Sequence, residues 1–406
     1  MPESDKQDSA AAAISAGQYA HEFLKTSLAR IFTQAENFTA GRYWALETLF
    51  LAVMFSVLFS GGVDDRLWSA VNGKFWASSY YLKIEHPLLD VAKINPPESH
   101  EAKLNFRLTV PVILHLLGVR TGCRWLLPIL AACGSCALIL ISCVFASGVT
   151  GDRVCGLYTA LAVSCSYIGS FGFMMYYDTI AISQVALAML PGLHWSLKGV
   201  LVFTAAFTDE RALPASLFVL LQSFFSRTVV RTFRECVLSA DFLAVLAGML
   251  GYCVTRLALE KFAGLVSPHE GTGFALLLSN AAFWHAGIWL ALKGGWLMVI
   301  VATICLWQQR RIKFLAAMIL AIGLIVGGGL LVDDVGRSVA YVLPGFLVAL
   351  AVASAYEARY PMRVYCFAAF VTSAISGNYN VWMEQITWFR PLSVDFIYRV
   401  LHAILK

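Results

Sequence analysis

WLLPILAACGSCALILISCVFASG, residues Trp125–Gly148, is a run of 24 residues without one charged side chain. A helix needs roughly 20 apolar residues to cross the hydrocarbon core of a bilayer, so this run suffices for one crossing. The first clear span is Trp44–Ser60, and further apolar blocks lie at about 107–118, 154–174, 179–192, 196–208, 212–226, 236–258, 286–306, 314–332, 341–355 and 364–377. Together they predict an all-α fold, a polytopic transmembrane helical bundle of about 10–12 spans. Several blocks are too short for an upright crossing. These predict half-helices or re-entrant pieces, whose free backbone groups must face protein or a water-filled cavity. Over all 406 residues, 59% are hydrophobic and 14% charged, which excludes a soluble globular fold.

The polar stretches divide the chain. Residues 1–43 read as a cytoplasmic tail in which Ala20, Phe23, Leu24, Leu28, Ile31 and Phe32 recur at helical spacing, an amphipathic helix lying on the membrane face. The transmembrane domain runs from 44 to 377. It includes an outer loop, 61–106, whose aromatic residues among charges and prolines predict short helices at the interface. Residues 378–406 read as a C-terminal interfacial segment. Compact basic turns at Arg227/Arg231/Arg234, Arg310/Arg311/Lys313 and Arg359/Arg363 share the cytoplasmic side by the positive-inside rule. Asp178, Asp209-Glu210-Arg211 and Asp333-Asp334 then fall on the opposite side. For the count to close, either 107–118 does not cross or a later block is broken.

The net charge of +5 is not gathered into a basic tract with interleaved aromatics, so nucleic acid is set aside as a partner. Most of the ten cysteines sit inside apolar runs and read as buried thiols, without zinc-ligand spacing. Gly327-Gly328-Gly329 lies in an apolar run and reads as close helix packing, not a phosphate loop.

Ionisable groups at membrane helix ends are costly unless solvated, paired or used. Five clusters lie on one predicted face: Asp64-Asp65-Arg66, Arg107, Asp178, Asp209-Glu210-Arg211, and Asp333-Asp334 with Arg337. A carboxylate there can take the proton of an acceptor hydroxyl, and a guanidinium can bind a phosphate and stabilise it as a leaving group. Carboxylates alone would suit ion or proton passage equally.

The layout of these groups is distinctive. Gly62-Val63-Asp64-Asp65 follows the first span directly and opens the long outer loop, and Arg107 to Pro111 forms an Arg-x-x-x-Pro lead into the next apolar stretch. Tyr176-Tyr177-Asp178 starts a span, Thr208-Asp209-Glu210-Arg211-Ala212-Leu213 is a charged turn between two short spans, and Asp334-Val335-Gly336-Arg337-Ser338 precedes another. This layout resembles the multi-spanning glycosyltransferases of the GT-C structural class, which take sugars from polyprenyl phosphate carriers. The resemblance implies Asp64 as catalytic base, with Asp65 as its alternative. Asp209 and Glu210 follow as a second acidic group that orients the acceptor or as ligands to Mg²⁺ or Mn²⁺. Arg211 and Arg337 are the implied phosphate binders, with Arg107 behind them and Asp178 and Asp334 beside them. His86, in a His-Pro turn near the acidic pair, joins the substrate-binding set, against the alternative of a surface turn residue.

The chain has no evident soluble outer domain, which favours a lipid or small glycan acceptor over a large protein. The expected function is transfer of a sugar from a lipid-linked donor, in a bacterial inner membrane, with the site on the periplasmic or outer face. A transporter, flippase or channel is the alternative, with the acidic helix ends as an ion or headgroup pathway.

Overall fold

The computed structural model describes residues 22–23, 25–59, 78–96, 99, 101–119, 126–173, 177–224, 233–266, 273–382 and 385–388. The uncharged run that opens the reading forms the helix Leu126–Thr150, about 37 Å long at 1.5 Å per residue. Among the described residues three more helices are long and apolar enough to cross a membrane: Ala240–Phe262, Ile312–Leu330 and Val335–Tyr356. Two bent pairs bring the number to six, Lys25–Thr39 with Trp44–Leu58 and Ala281–Leu292 with Gly295–Gln308.

The remaining apolar blocks differ from the ten to twelve crossings expected, because polar punctuation shortens them. Arg153–Ser164, Asp178–Ala188, Trp195–Thr208 and Ala212–Gln222 each have between 10 and 17 residues. Ser166 ends one block by accepting a hydrogen bond from the Gly169 N–H, which starts a new turn at Tyr167. Lys293, at φ 47°, breaks another into segments bent by 86°. The block 107–118 yields only the eight-residue helix Thr109–Leu116, about 12 Å long, which cannot cross. It docks instead on the end of Trp195–Thr208, where the Leu108 N–H donates to the Phe207 carbonyl at 2.7 Å and Thr109 Oγ1 to the Thr204 carbonyl at 2.6 Å.

Val335–Tyr356 is the axis of the bundle and is enclosed by protein along almost its whole length. Gly295–Gln308, Leu126–Thr150 and Leu217–Gln222 pack around it. Ala240–Phe262 and Ile312–Leu330 lie on the outside. Leu250, Val254 and Leu257 on the first are 57%, 67% and 64% exposed, and Leu320 on the second is 63% exposed. A continuous apolar stripe of this kind is at home in lipid, not water.

Outside the helices, Tyr379–Trp382 and Gln385–Trp388 form an antiparallel hairpin in which Tyr379 faces Trp388. The expected C-terminal interfacial segment thus begins with two strands. The helix Ser78–Glu85, in the expected outer loop, buries one face: Tyr80 and Ile84 pack with Leu127 and Ala131, while Leu82 is 41% exposed. The amphipathic helix is present as Lys25–Thr39, and its Phe32 packs on Tyr158, Tyr360 and Phe367 rather than on lipid.

Two ionic clusters mark opposite ends of the bundle. Thr179 Oγ1 donates to the Ala131 carbonyl, so Asp178 is level with the first turns of Leu126–Thr150, whereas Asp152 follows that helix's last residues. Roughly 30 Å of helix separates the two, close to the thickness of a hydrocarbon core. Arg337 and Arg359 stand similarly at the two ends of Val335–Tyr356. At the Asp152 end, Arg363 Nε and Arg359 Nε reach the Asp152 carboxylate at 2.5 and 3.0 Å, and Arg363 also holds Glu36 at 2.7 Å.

Burial alone would raise the Asp152 carboxyl, but hydrogen bonds from Arg363 and Arg359 outweigh it and bring the group down to about 2. Its contribution to stability is therefore complete above the ordinary value of 3.8 and is lost as the pH falls toward 2. Asp152→Asn should lower the melting temperature of the detergent-solubilised protein at neutral pH and flatten its decline between pH 4 and 2, which a pH series of thermal melts would check.

Candidate functional site

The charged turn Asp209-Glu210-Arg211 reverses the chain between Trp195–Thr208 and Ala212–Ala215. Its short-range chemistry is an Asx turn. Asp209 Oδ1 accepts from the Arg211 N–H at 3.1 Å and from Arg211 Nε at 2.8 Å, while Oδ2 accepts from Arg211 Nη2 at 2.7 Å. Arg107 arrives from a different part of the chain because the backbone at Leu108 is fastened to Phe207, and its Nη2 reaches Asp209 Oδ2 at 2.8 Å. Asp178 enters at the N-terminus of Asp178–Ala188, where the helix dipole favours a negative charge.

Arg211 Nη2 also pairs with Asp178 Oδ1, and its Nη1 donates to Ser338 Oγ at 3.1 Å. The Arg211 guanidinium lies over the Tyr341 ring, 4.9 Å from its centre, and Tyr341 donates its hydroxyl to Asp178 Oδ1 at 3.4 Å. Arg337 completes the group, with Nε 3.7 Å from Asp178 Oδ1 and 3.3 Å from Asp334 Oδ2. Asp334 itself caps the helix Val335–Val339 by accepting from the Arg337 N–H at 3.2 Å.

Asp178 and Asp209 are each 1% exposed. Burial alone would raise the Asp209 carboxyl, yet Arg107 and Arg211 overcome that penalty and hold it well below the usual carboxylate range. The same pairing, through Asp209 and Asp178, drives Arg211 above its ordinary value despite burial. Asp209 is therefore fixed as an anion and Arg211 as a cation, and neither is tuned to exchange a proton near neutral pH.

A cavity of about 200 Å³ opens beside this cluster. Glu210, Arg211, Ser338 and Tyr341 form its polar part, and Pro214, Leu324, Ile325, Gly328, Gly329 and Val332 its apolar wall. That wall belongs largely to Ile312–Leu330, on which Leu324 is 52% exposed. The glycine triplet has two uses. A Cβ at Gly329 would stand 2.9 Å from the Val339 nitrogen, which is close helix packing, whereas at Gly327 or Gly328 it would meet nothing within 4 Å.

Six of the sequence-derived residues thus meet: Arg107, Asp178, Asp209, Arg211, Asp334 and Arg337. Glu210 does not join them. It stands at the rim of the cavity, 49% exposed, and pairs with Arg256 at 3.1 Å. Asp209 and Glu210 thus pair with different cations, and among the described residues no group of three metal-ligating side chains comes together. His86 is exposed beyond the end of Ser78–Glu85 and makes no ion pair with the cluster. Asp64 and Asp65 lie outside the described residues.

Sequence reasoning missed Ser338 and Tyr341. Arg337 and Tyr341 are spaced by one helical turn, a signal available in the sequence but hidden by the apolar block that follows. No protein-family model, curated protein or solved structure matches this chain.

Asp209→Ala would leave Arg107 and Arg211 without their shared counterion and should destabilise the protein by about 3–5 kcal/mol. Glu210→Ala, which removes one exposed pair, should cost less than about 1 kcal/mol. Denaturant melts in mild detergent would compare the two.

Proposed function

We propose that this chain is a membrane glycosyltransferase that moves a sugar from a polyprenyl-phosphate-linked donor to a lipid or glycan acceptor. The observation that carries this reading is the convergence of Arg107, Arg211 and Arg337, from three distant segments, next to a cavity walled by a lipid-facing helix. A phosphate head fits the guanidinium side of that cavity and a hydrocarbon chain fits the other. The resemblance to the GT-C class points the same way.

In this reaction the acceptor oxygen attacks the sugar's anomeric carbon, and its proton passes to a carboxylate base. The bond from that carbon to the donor's phosphate oxygen breaks, and the electron pair leaves with the phosphate. Arg211, aided by Arg337 and Ser338, stabilises the charge that gathers there. Asp209 holds Arg107 and Arg211 in place. The proton acceptor in this reading is Asp64, with Asp65 as alternative. The site faces the non-cytoplasmic side, opposite the basic Arg359–Arg363 end, in a bacterial inner membrane.

The transport reading has less support. Besides the two ionic clusters, the buried cations among the described residues are Lys83, Lys198 and Lys293, and none is ion-paired to a member of either cluster. A permeation path would need such a link between faces.

Gly328→Leu is the sharpest test, because Gly328 lines the cavity and a Cβ there meets nothing within 4 Å. It should leave the melting temperature within a few degrees of wild type and reduce transfer of labelled sugar from a long-chain polyprenyl donor at least tenfold. Arg211→Ala should reduce it by about 100-fold or more. Wild-type rates in both variants would overturn the assignment.

A further inference from the structure

From the cavity, away from the Asp178 cluster, the lipid-facing surface continues as a trough. Ala240–Phe262 and Ile312–Leu330, the two helices on the outside of the bundle, each pack on the short helix Leu217–Gln222. They do not cover it. Leu217, Leu220 and Leu221, with Pro214 one turn before them, remain partly exposed and recur at helical spacing along one face. An apolar floor between two lipid-facing walls is open to hydrocarbon along its length.

Both ends of the trough are defined. At the upper end Pro214 and Leu324 line the cavity that holds Arg211, and Glu210 joins Arg256 of the first wall at 3.1 Å. At the lower end one side chain ties the walls together. Phe224, 5% exposed, sets its ring against Phe242 on one wall and Phe314 on the other, with centres 6.4 and 5.0 Å apart. Leu324 follows Phe314 by ten residues, and Phe224 follows Pro214 by ten, so wall and floor give the same length, about 15 Å. That is about half of a hydrocarbon core, the depth of one leaflet.

The two ends select the occupant. A head held at Arg211 is anionic, and whatever hangs from it into the trough lies on apolar side chains until it meets Phe224. The outer stripes of the two walls take any bilayer lipid, whereas the trough joins a cation at one end to a closed floor at the other. We propose that the trough is the seat of the donor's hydrocarbon chain, with Phe224 as its stop. The proposal rests on the phosphate-binding reading above and adds where the chain lies and how much of it the protein reads.

The test uses the full chain in phosphatidylcholine nanodiscs, with geranyl monophosphate, geranylgeranyl monophosphate and geranylgeraniol as calorimetric probes. The geranyl chain is half as long as the geranylgeranyl chain and stops short of Leu221, the floor residue nearer the lower end. Wild type should bind the longer ester at least tenfold more tightly than the shorter. Leu217 and Leu221 are partly exposed, so a larger ring at either position extends into the trough. Leu221→Trp should bring the two esters within about threefold of each other by weakening the longer one alone, and Leu217→Trp, higher on the floor, should weaken both. Leu250→Trp, on the outer stripe of Ala240–Phe262, should behave as wild type. Partition of the probes into the bilayer is common to all of these proteins, so a change between them reports the trough. Equal affinities for the two esters in wild type, wild-type affinity for the longer ester in both floor variants, or the same loss in Leu250→Trp would each overturn the chain seat. Geranylgeraniol binding as tightly as its monophosphate would overturn the phosphate-binding reading and leave the trough standing, and no binding of any probe to wild type would remove both.

Discussion

The ionic cluster at the Asp178 end of the bundle depends on one carboxylate oxygen, Asp209 Oδ2, which accepts from Arg107 and Arg211 at once. Two cations do not approach so closely in an apolar interior unless an anion stands between them. The anion is available because the chain reverses there, and the reversal exists because Asp209 takes up the Arg211 N–H. Asp178 extends the same logic to Arg337, so segments more than 200 residues apart in sequence are held by alternating charges. Removing any member leaves its neighbours buried and uncompensated. The arrangement is thus a structural necessity before it is a chemical opportunity.

The ionic residues were legible in the sequence because charge is rare in this chain. Asp178, Asp209, Arg211 and Arg337 stand at the borders of apolar blocks, where an ion must be paired, solvated or used. Their mutual contacts were not legible, since pairing is set by helix packing, which block lengths do not encode. Glu210 shows the limit well. It is adjacent to Asp209 and chemically similar, yet the tight turn sends it to Arg256. The packing of the helix Ser78–Glu85 was hidden for another reason: it lies in a stretch whose mixed composition resembles a surface loop.

The number of full-length helices among the described residues is lower than the apolar blocks imply, for a physical reason as well. Hydropathy measures how apolar a block is, not whether its backbone stays helical throughout. Ser166, Lys293 and the Asp209 turn all interrupt blocks whose average composition barely registers them. Of these breaks, the Asp209 turn brings its charged ends to Asp178 and builds the cluster. A bundle of full-length, unbroken helices would carry its polar groups only in external loops.

The elbow between Lys25–Thr39 and Trp44–Leu58, bent by 119°, acts on the whole molecule. Arg153 Nη1 ties the elbow down through the Thr39 carbonyl, and Arg363 ties it through Glu36. The bend therefore cannot open without breaking both ties. Arg363 also holds Asp152, so the elbow shares its anchor with the ionic cluster that closes this end of the bundle, roughly 30 Å of helix from Asp178.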